Sequence, residues 1–165
     1  MSKILCETIY CNHLDLDTLA WETAKTKPVS RNLPDVATDI LTFNHKNTTW
    51  VIEGCYADLL RVALEEAFGV IFLNPGIDTY LRNAKSRPCE PYKYISPEAQ
   101  DANLTILLEW IKDYYHRSDE FSYIAHRQLF QAFSGPKLEF TSKIQDPRSK
   151  IQDSSSVVKQ FTQLV

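Results

Sequence analysis

Gly69-Val-Ile-Phe-Leu73, closed by Asn74-Pro75-Gly76, decides the fold. Four apolar residues in a row leave neither face of a strand polar. That is the pattern of a strand covered on both sides, as parallel sheets require, and the Asn-Pro-Gly triplet stops it. Upstream, Leu59, Leu60, Ala63 and Leu64 predict a helix over 57–67. Before it, Thr49-Trp-Val-Ile-Glu53 is a second β-favouring run, ended by Gly54. Val36, Ile40 and Phe43 place a helix over 35–44, behind a loop marked by Pro28, Ser30, Asn32 and Pro34. The first elements are a weakly patterned helix over 2–11 and a short strand over 13–16.

Downstream of Gly76 a helix is expected over 77–85, then a loop over 86–95. Ser96-Pro97-Glu98 is a helix start, with Ser96 as cap and Pro97 at the first helical position. Leu104, Leu107, Leu108, Ile111 and Tyr115 give that helix one apolar stripe. Phe121, Ile124, Ala125, Leu129 and Phe133 mark another helix, ended by Gly135-Pro136, and Lys137-Leu-Glu-Phe-Thr141 is a last strand. Strands alternating with helices at this spacing predict an α/β fold over 1–141, a three-layer parallel sheet with helices on both faces. Beyond it, Ser-Lys-Ile-Gln-Asp occurs at 142–146 and again at 149–153, so 142–165 reads as a polar, disordered tail.

A chain of 165 residues is the size of one domain, and 44% hydrophobic residues suit an ordinary globular core. The net charge of −3 argues against broad nucleic-acid or membrane-surface binding, which needs clustered Lys and Arg. No apolar run approaches the ~20 residues of a membrane helix, and no secretory signal is visible. Cys6, Cys11, Cys55 and Cys89 form no Cys-x-x-Cys pair, and no fourth ligand follows Cys6, Cys11 and His13 at zinc spacing. The expectation is a cytoplasmic protein with buried, reduced thiols.

Ligands of open α/β sheets bind outside the carboxyl ends of the strands. The residues there are Asp15 and Asp17, then Glu53-Gly-Cys-Tyr56, then Asn74-Pro75. Three acids on one edge suit Mg²⁺, although solvated loop acids are the alternative. The stretch Arg82-Asn-Ala-Lys-Ser-Arg87 is the densest basic one; it fits either a phosphate-closing loop or a solvated helix end. His45, His116 and His126 read as structural or surface residues, and Ser86 and Ser134 lack a nucleophile turn. Trp21, Trp50 and Trp110 read as core.

Three pieces together carry a family resemblance: Leu16-Asp-Thr-Leu-Ala-Trp21, Trp50-Val-Ile-Glu-Gly-Cys-Tyr56, and Phe72-Leu-Asn-Pro75 followed by arginines. They resemble the small P-loop kinases related to adenylate and shikimate kinases. The nearest group is that labelled DNA topology modulation or shikimate-kinase-like AAA proteins. The resemblance implies phosphoryl transfer from ATP, with Mg²⁺, to a small hydroxyl or phosphate acceptor. By it, Asp17 with Asp15 and Tyr56 would bind the acceptor, Asp15 and Glu53 would assist the metal, and Arg82 and Arg87 would meet the transferred phosphate.

Those kinases open with a strand and the loop Gly-x-x-x-x-Gly-Lys-[Ser/Thr]. Here the glycines stand at 54, 69, 76 and 135, and none opens such a loop. The resemblance therefore implies a fold without its first, central strand, whose place is between the strands ending at Glu53 and Leu73. Such a strand could supply ~5–10 kcal/mol, against about 5–15 kcal/mol for a whole domain; the segment 157–165 is a candidate to fill the place. Weak ATP binding and little or no turnover are expected. A non-catalytic module that binds a small molecule or a protein through the acceptor pocket is the alternative.

Overall fold

The computed structural model describes residues 2–22, 29–90 and 94–142, and its four strands run parallel in two separate pairs. Helix α1 (Ser2–Ile9) turns at Tyr10 into β1 (Asn12–Asp15), which a 3₁₀ turn at Leu16–Thr18 closes. Helix α2 (Leu33–Lys46) leads to β2 (Trp50–Glu53), and α3 (Ala57–Leu64) to β3 (Val70–Leu73). Then come α4 (Ile77–Lys85), α5 (Pro97–Lys112), α6 (Tyr123–Ala132) and β4 (Lys137–Phe140). In the first pair Asn12 stands opposite Trp50 and Asp15 opposite Glu53; in the second, Val70 stands opposite Lys137 and Leu73 opposite Phe140.

Local chemistry explains the helix ends. Ser96 Oγ accepts from the Ala99 N–H at 3.2 Å, and Ser122 Oγ accepts from the Ala125 N–H at 3.1 Å, each satisfying a first-turn donor. Gly76, with φ of +91°, supplies the backbone conformation from which α4 starts. On α2, His45 and Lys46 place positive or titratable groups at the carboxyl end, and Arg31 fixes its start by an ion pair to Asp39 at 2.8 Å.

The core lies mainly between the first strand pair and the helices that follow it. Leu16, Ile40 and Val36 are almost completely enclosed, with Ala20, Tyr56, Leu59 and Ala63 around them. Leu14 and Ile52 pack on that cluster from one face of the pair. Strand side chains alternate between faces, and Val51 on the opposite face packs on Leu5 of α1. Ile71 of β3 also packs on Leu5, so one side chain touches both pairs. The other face of β3 is covered by α6, where the Phe72 ring meets those of Tyr123, His126 and Phe130.

The mixed α/β class and the parallel strands agree with the sequence expectation. The single three-layer sheet is the finer part of that expectation: among the described residues the strands form two two-stranded sheets, with no hydrogen-bonded ladder between β2 and β3. The strand expected to be most deeply enclosed is not: no residue of β3 is fully buried, and Leu73 is 42% exposed. The cause is geometric, because β3 pairs with β4 on one side and no strand lies on its other side among the described residues.

Other expectations shift for similar reasons. No residue of α5 is fully buried, and Trp110, expected in the core, is 38% exposed beneath the Arg117 guanidinium, 4.1 Å from the ring centre. Cys55 and Cys89 are exposed rather than buried, because each sits in a loop. The tail from 143 onward, including the repeated pentapeptide and the segment 157–165, lies outside the described residues. Among the described residues no helix is long and apolar enough to cross a membrane.

Candidate functional site

Strand β1 delivers Asp15 to its carboxyl end, and Asp15 shapes the turn that follows. Its Oδ1 accepts from the Asp17 N–H at 3.0 Å, and its carbonyl accepts from Thr18 Oγ1 at 2.6 Å. These bonds set up the 3₁₀ turn, bury Leu16, and present Asp17 beside α3. A β-carbon at Gly54 would lie 2.9 Å from the Leu16 Cβ, so only glycine lets the end of β2 approach this turn.

Tyr56, at the start of α3, donates its hydroxyl proton to the Asp17 carboxylate. The indole Nε1–H of Trp21 donates to the same hydroxyl at 2.8 Å. Burial, with the Asp17 charge next, pushes the Tyr56 hydroxyl well above its ordinary range. It therefore stays a proton donor throughout the neutral range. The second Asp17 oxygen faces Arg87, whose guanidinium lies 4.0 Å away and also pairs with Glu90 at 3.2 Å. Asp17 is thus a largely covered carboxylate, oriented on one side and facing a cation on the other.

Glu53 and Asp15 stand opposite each other across the first pair, as expected for acids converging on one edge. Glu53 has a partner that sequence reasoning missed: His13 Nε2 contacts its Oε1 at 2.6 Å. The available signal was strand alternation, since His13 and Asp15 are two residues apart and so share a face. Of the predicted residues, Asp15, Asp17, Tyr56, Glu53 and Arg87 gather at this edge. Arg82 is exposed in the last turn of α4, and no hydrogen bond or ion pair among the described residues joins its side chain to Asp17. His126 acts structurally: its Nε2–H donates to the Cys55 carbonyl at 2.8 Å, and its Nδ1 meets the Tyr114 hydroxyl at 3.0 Å. Burial lowers its pKa, which keeps the ring neutral.

The implied cofactors fit this edge unequally. Mg²⁺ that arrives with a phosphate uses one or two carboxylates and keeps several waters. Asp15 and Glu53 match that share, although among the described residues no three Asp, Glu, His or Cys side chains gather to hold a metal unaided. For ATP the residues do not fit, because no glycine opens a loop of backbone donors for its phosphates.

Burial raises the pKa of Asp15, and the charges of Asp17 and Glu53 raise it further. A carboxyl raised on folding gives stability that is full below its unfolded pKa and lost as pH rises through the folded one. Asp15→Asn keeps an oxygen for the Asp17 N–H but carries no charge. Its melting temperature is expected to exceed that of the parent at pH 7, with the two converging as pH falls toward about 4, the ordinary Asp range. Thermal unfolding across that interval checks this; a variant that melts lower at pH 7 contradicts it.

No protein-family model, no curated protein and no solved structure matches the chain. The site must be read from its own geometry.

Proposed function

We propose that this edge is the acceptor side of a phosphoryl-transfer site on a scaffold of the small P-loop kinase type. In this reading the chain binds a small hydroxyl or phosphate compound and shows little or no turnover. The observation that carries it is the relay from Trp21 through Tyr56 to Asp17, with Arg87 opposite the free oxygen. A carboxylate held this way can accept an acceptor hydroxyl, and a neighbouring guanidinium suits a phosphate. Arg82 would join Arg87 through movement of α4 and the loop after it. Asp15 and Glu53 would hold Mg²⁺, which when bound would neutralise phosphate charge.

The finer fold belongs to the same reading. In it, the two parallel pairs, β1-β2 and β3-β4, would flank the place that the kinase scaffold gives to its central strand. Support comes from Leu5, which packs on Val51 and Ile71, one from each inner strand.

Thermal shift against a panel of hydroxy acids, polyols and nucleoside monophosphates, with and without Mg-ATP, tests the proposal. At a hundredfold excess over its Kd, a true acceptor stabilises the fold by about 2.7 kcal/mol. That shift is expected to disappear in Asp17→Ala, with no shift from ATP alone and no steady release of ADP. A shift that survives Asp17→Ala removes Asp17 from the site, whereas steady ADP release lost in Asp17→Ala overturns the inactivity. A second reading, a non-catalytic binding module, is favoured by the contact between Glu53 and His13, which engages an acid the metal would need. In that case acceptor binding is indifferent to Mg²⁺.

A further inference from the structure

The turn between α1 and β1 brings two thiols together. Tyr10 adopts a left-handed conformation, with φ of +53°, which is uncommon for a residue with a side chain. The chain thereby doubles back, and the Cys11 N–H donates to the Cys6 carbonyl at 3.2 Å. Cys11 Sγ then lies 2.7 Å from Cys6 Sγ, against about 2.04 Å for a disulfide bond. Cys6 is on the buried face of α1 and Cys11 is partly open to solvent. The remaining thiols are placed elsewhere, Cys55 beyond β2 and Cys89 beyond α4.

We propose that Cys6 and Cys11 form a dithiol–disulfide couple that exchanges with small oxidised disulfides such as oxidised glutathione. The partly open Cys11 thiolate attacks one sulfur of the external disulfide, and the other leaves as a thiolate that takes up a proton. The Cys6 thiolate then attacks the Cys11 sulfur and expels the second external thiolate. Two electrons pass to the external disulfide, two thiol protons end on the two released thiols, and one intramolecular S–S bond remains. The order follows from exposure, and electrostatics agrees. Burial, with Cys11 and Glu53 nearby, pushes the Cys6 thiol up to about 12, so it is protonated at neutral pH and a poor first nucleophile. Once bonded, the two sulfurs tie the last turn of α1 to the segment entering β1. β1 carries His13 and Asp15, which makes the couple a covalent constraint on the first acid of the candidate edge and on the histidine that meets Glu53. The couple stands on its own geometry and holds whether or not the edge transfers phosphate.

The test treats the full chain with oxidised glutathione, followed by intact mass and peptide mapping without reductant. The Cys55→Ser/Cys89→Ser variant serves as a simplified background. The expected product has lost two hydrogens, carries no glutathione, and yields a peptide linked between Cys6 and Cys11. Cys6→Ser is expected to stop at a stable glutathione adduct on Cys11. Cys11→Ser is expected to react at least about tenfold more slowly, since only the buried thiol remains. A persistent adduct on Cys11 of the unsubstituted chain overturns the proposal, as does a Cys6 that stays free while Cys55 and Cys89 react. Mapping of the unsubstituted chain decides the matter even if the variants fold poorly.

Discussion

Leu16→Ala is expected to lower the unfolding free energy by about 3–5 kcal/mol, the cost of a fully enclosed leucine whose surroundings cannot collapse into the space. Leu16 has no exposed surface, and its neighbours come from three directions: the end of β1, α2 and α3. Gly54 closes the fourth side with its backbone and cannot follow a shrinking side chain. Measured against a whole-domain stability of about 5–15 kcal/mol, the variant should unfold at a much lower urea midpoint. The slope of the transition should be unchanged, because the surface exposed on unfolding is nearly the same. A loss below about 1 kcal/mol would show that Leu16 is not a core anchor. Because the same turn presents Asp17, the acceptor binding we propose should weaken along with stability.

Tyr56→Phe is expected to cost about 1.5–3 kcal/mol, the range for a hydrogen bond to a charged group. The ring stays, so its edge-on packing against Trp21 and Phe121 is kept and only the hydroxyl is removed. Asp17 loses its donor, and the Trp21 Nε1–H loses the acceptor it holds at 2.8 Å. A double-mutant cycle with Asp17→Asn separates the pair from the rest of the core. A coupling of about 1 kcal/mol or more is expected, and additive losses would dissolve the relay. Trp21 fluorescence should change in Tyr56→Phe, since the indole contacts the substituted position.

Much of the fold was legible because its signals are local. The apolar run at 70–73, the cap at Ser96 and the breaks at Gly54, Gly76 and Gly135 announce their elements within a few residues. The edge carrying Asp15, Asp17, Glu53 and Tyr56 was legible too, since parallel strands send their carboxyl ends to one side. What escaped depends on contacts between distant segments. His13 meets Glu53 from 40 residues away, and Trp21 reaches the Tyr56 hydroxyl from 35 residues away, pairings that no periodicity encodes. Burial was misread wherever a partner surface was assumed, as for β3 and Trp110. Apolarity says that a residue favours cover, and topology decides whether cover is there.

The split between the strand pairs also bears on the order of assembly during synthesis. Both strands of the first pair, with α1, α2 and α3, lie within residues 2–64. A ribosome emitting about 5–20 residues per second therefore delivers that half complete before β3 emerges. The second pair joins strands separated by the whole of α4, α5 and α6, so β3 waits for residue 140 before its partner exists. Throughout that interval Leu5, on α1, offers Ile71 an apolar landing place. The first half thus serves the second as a template on which it waits.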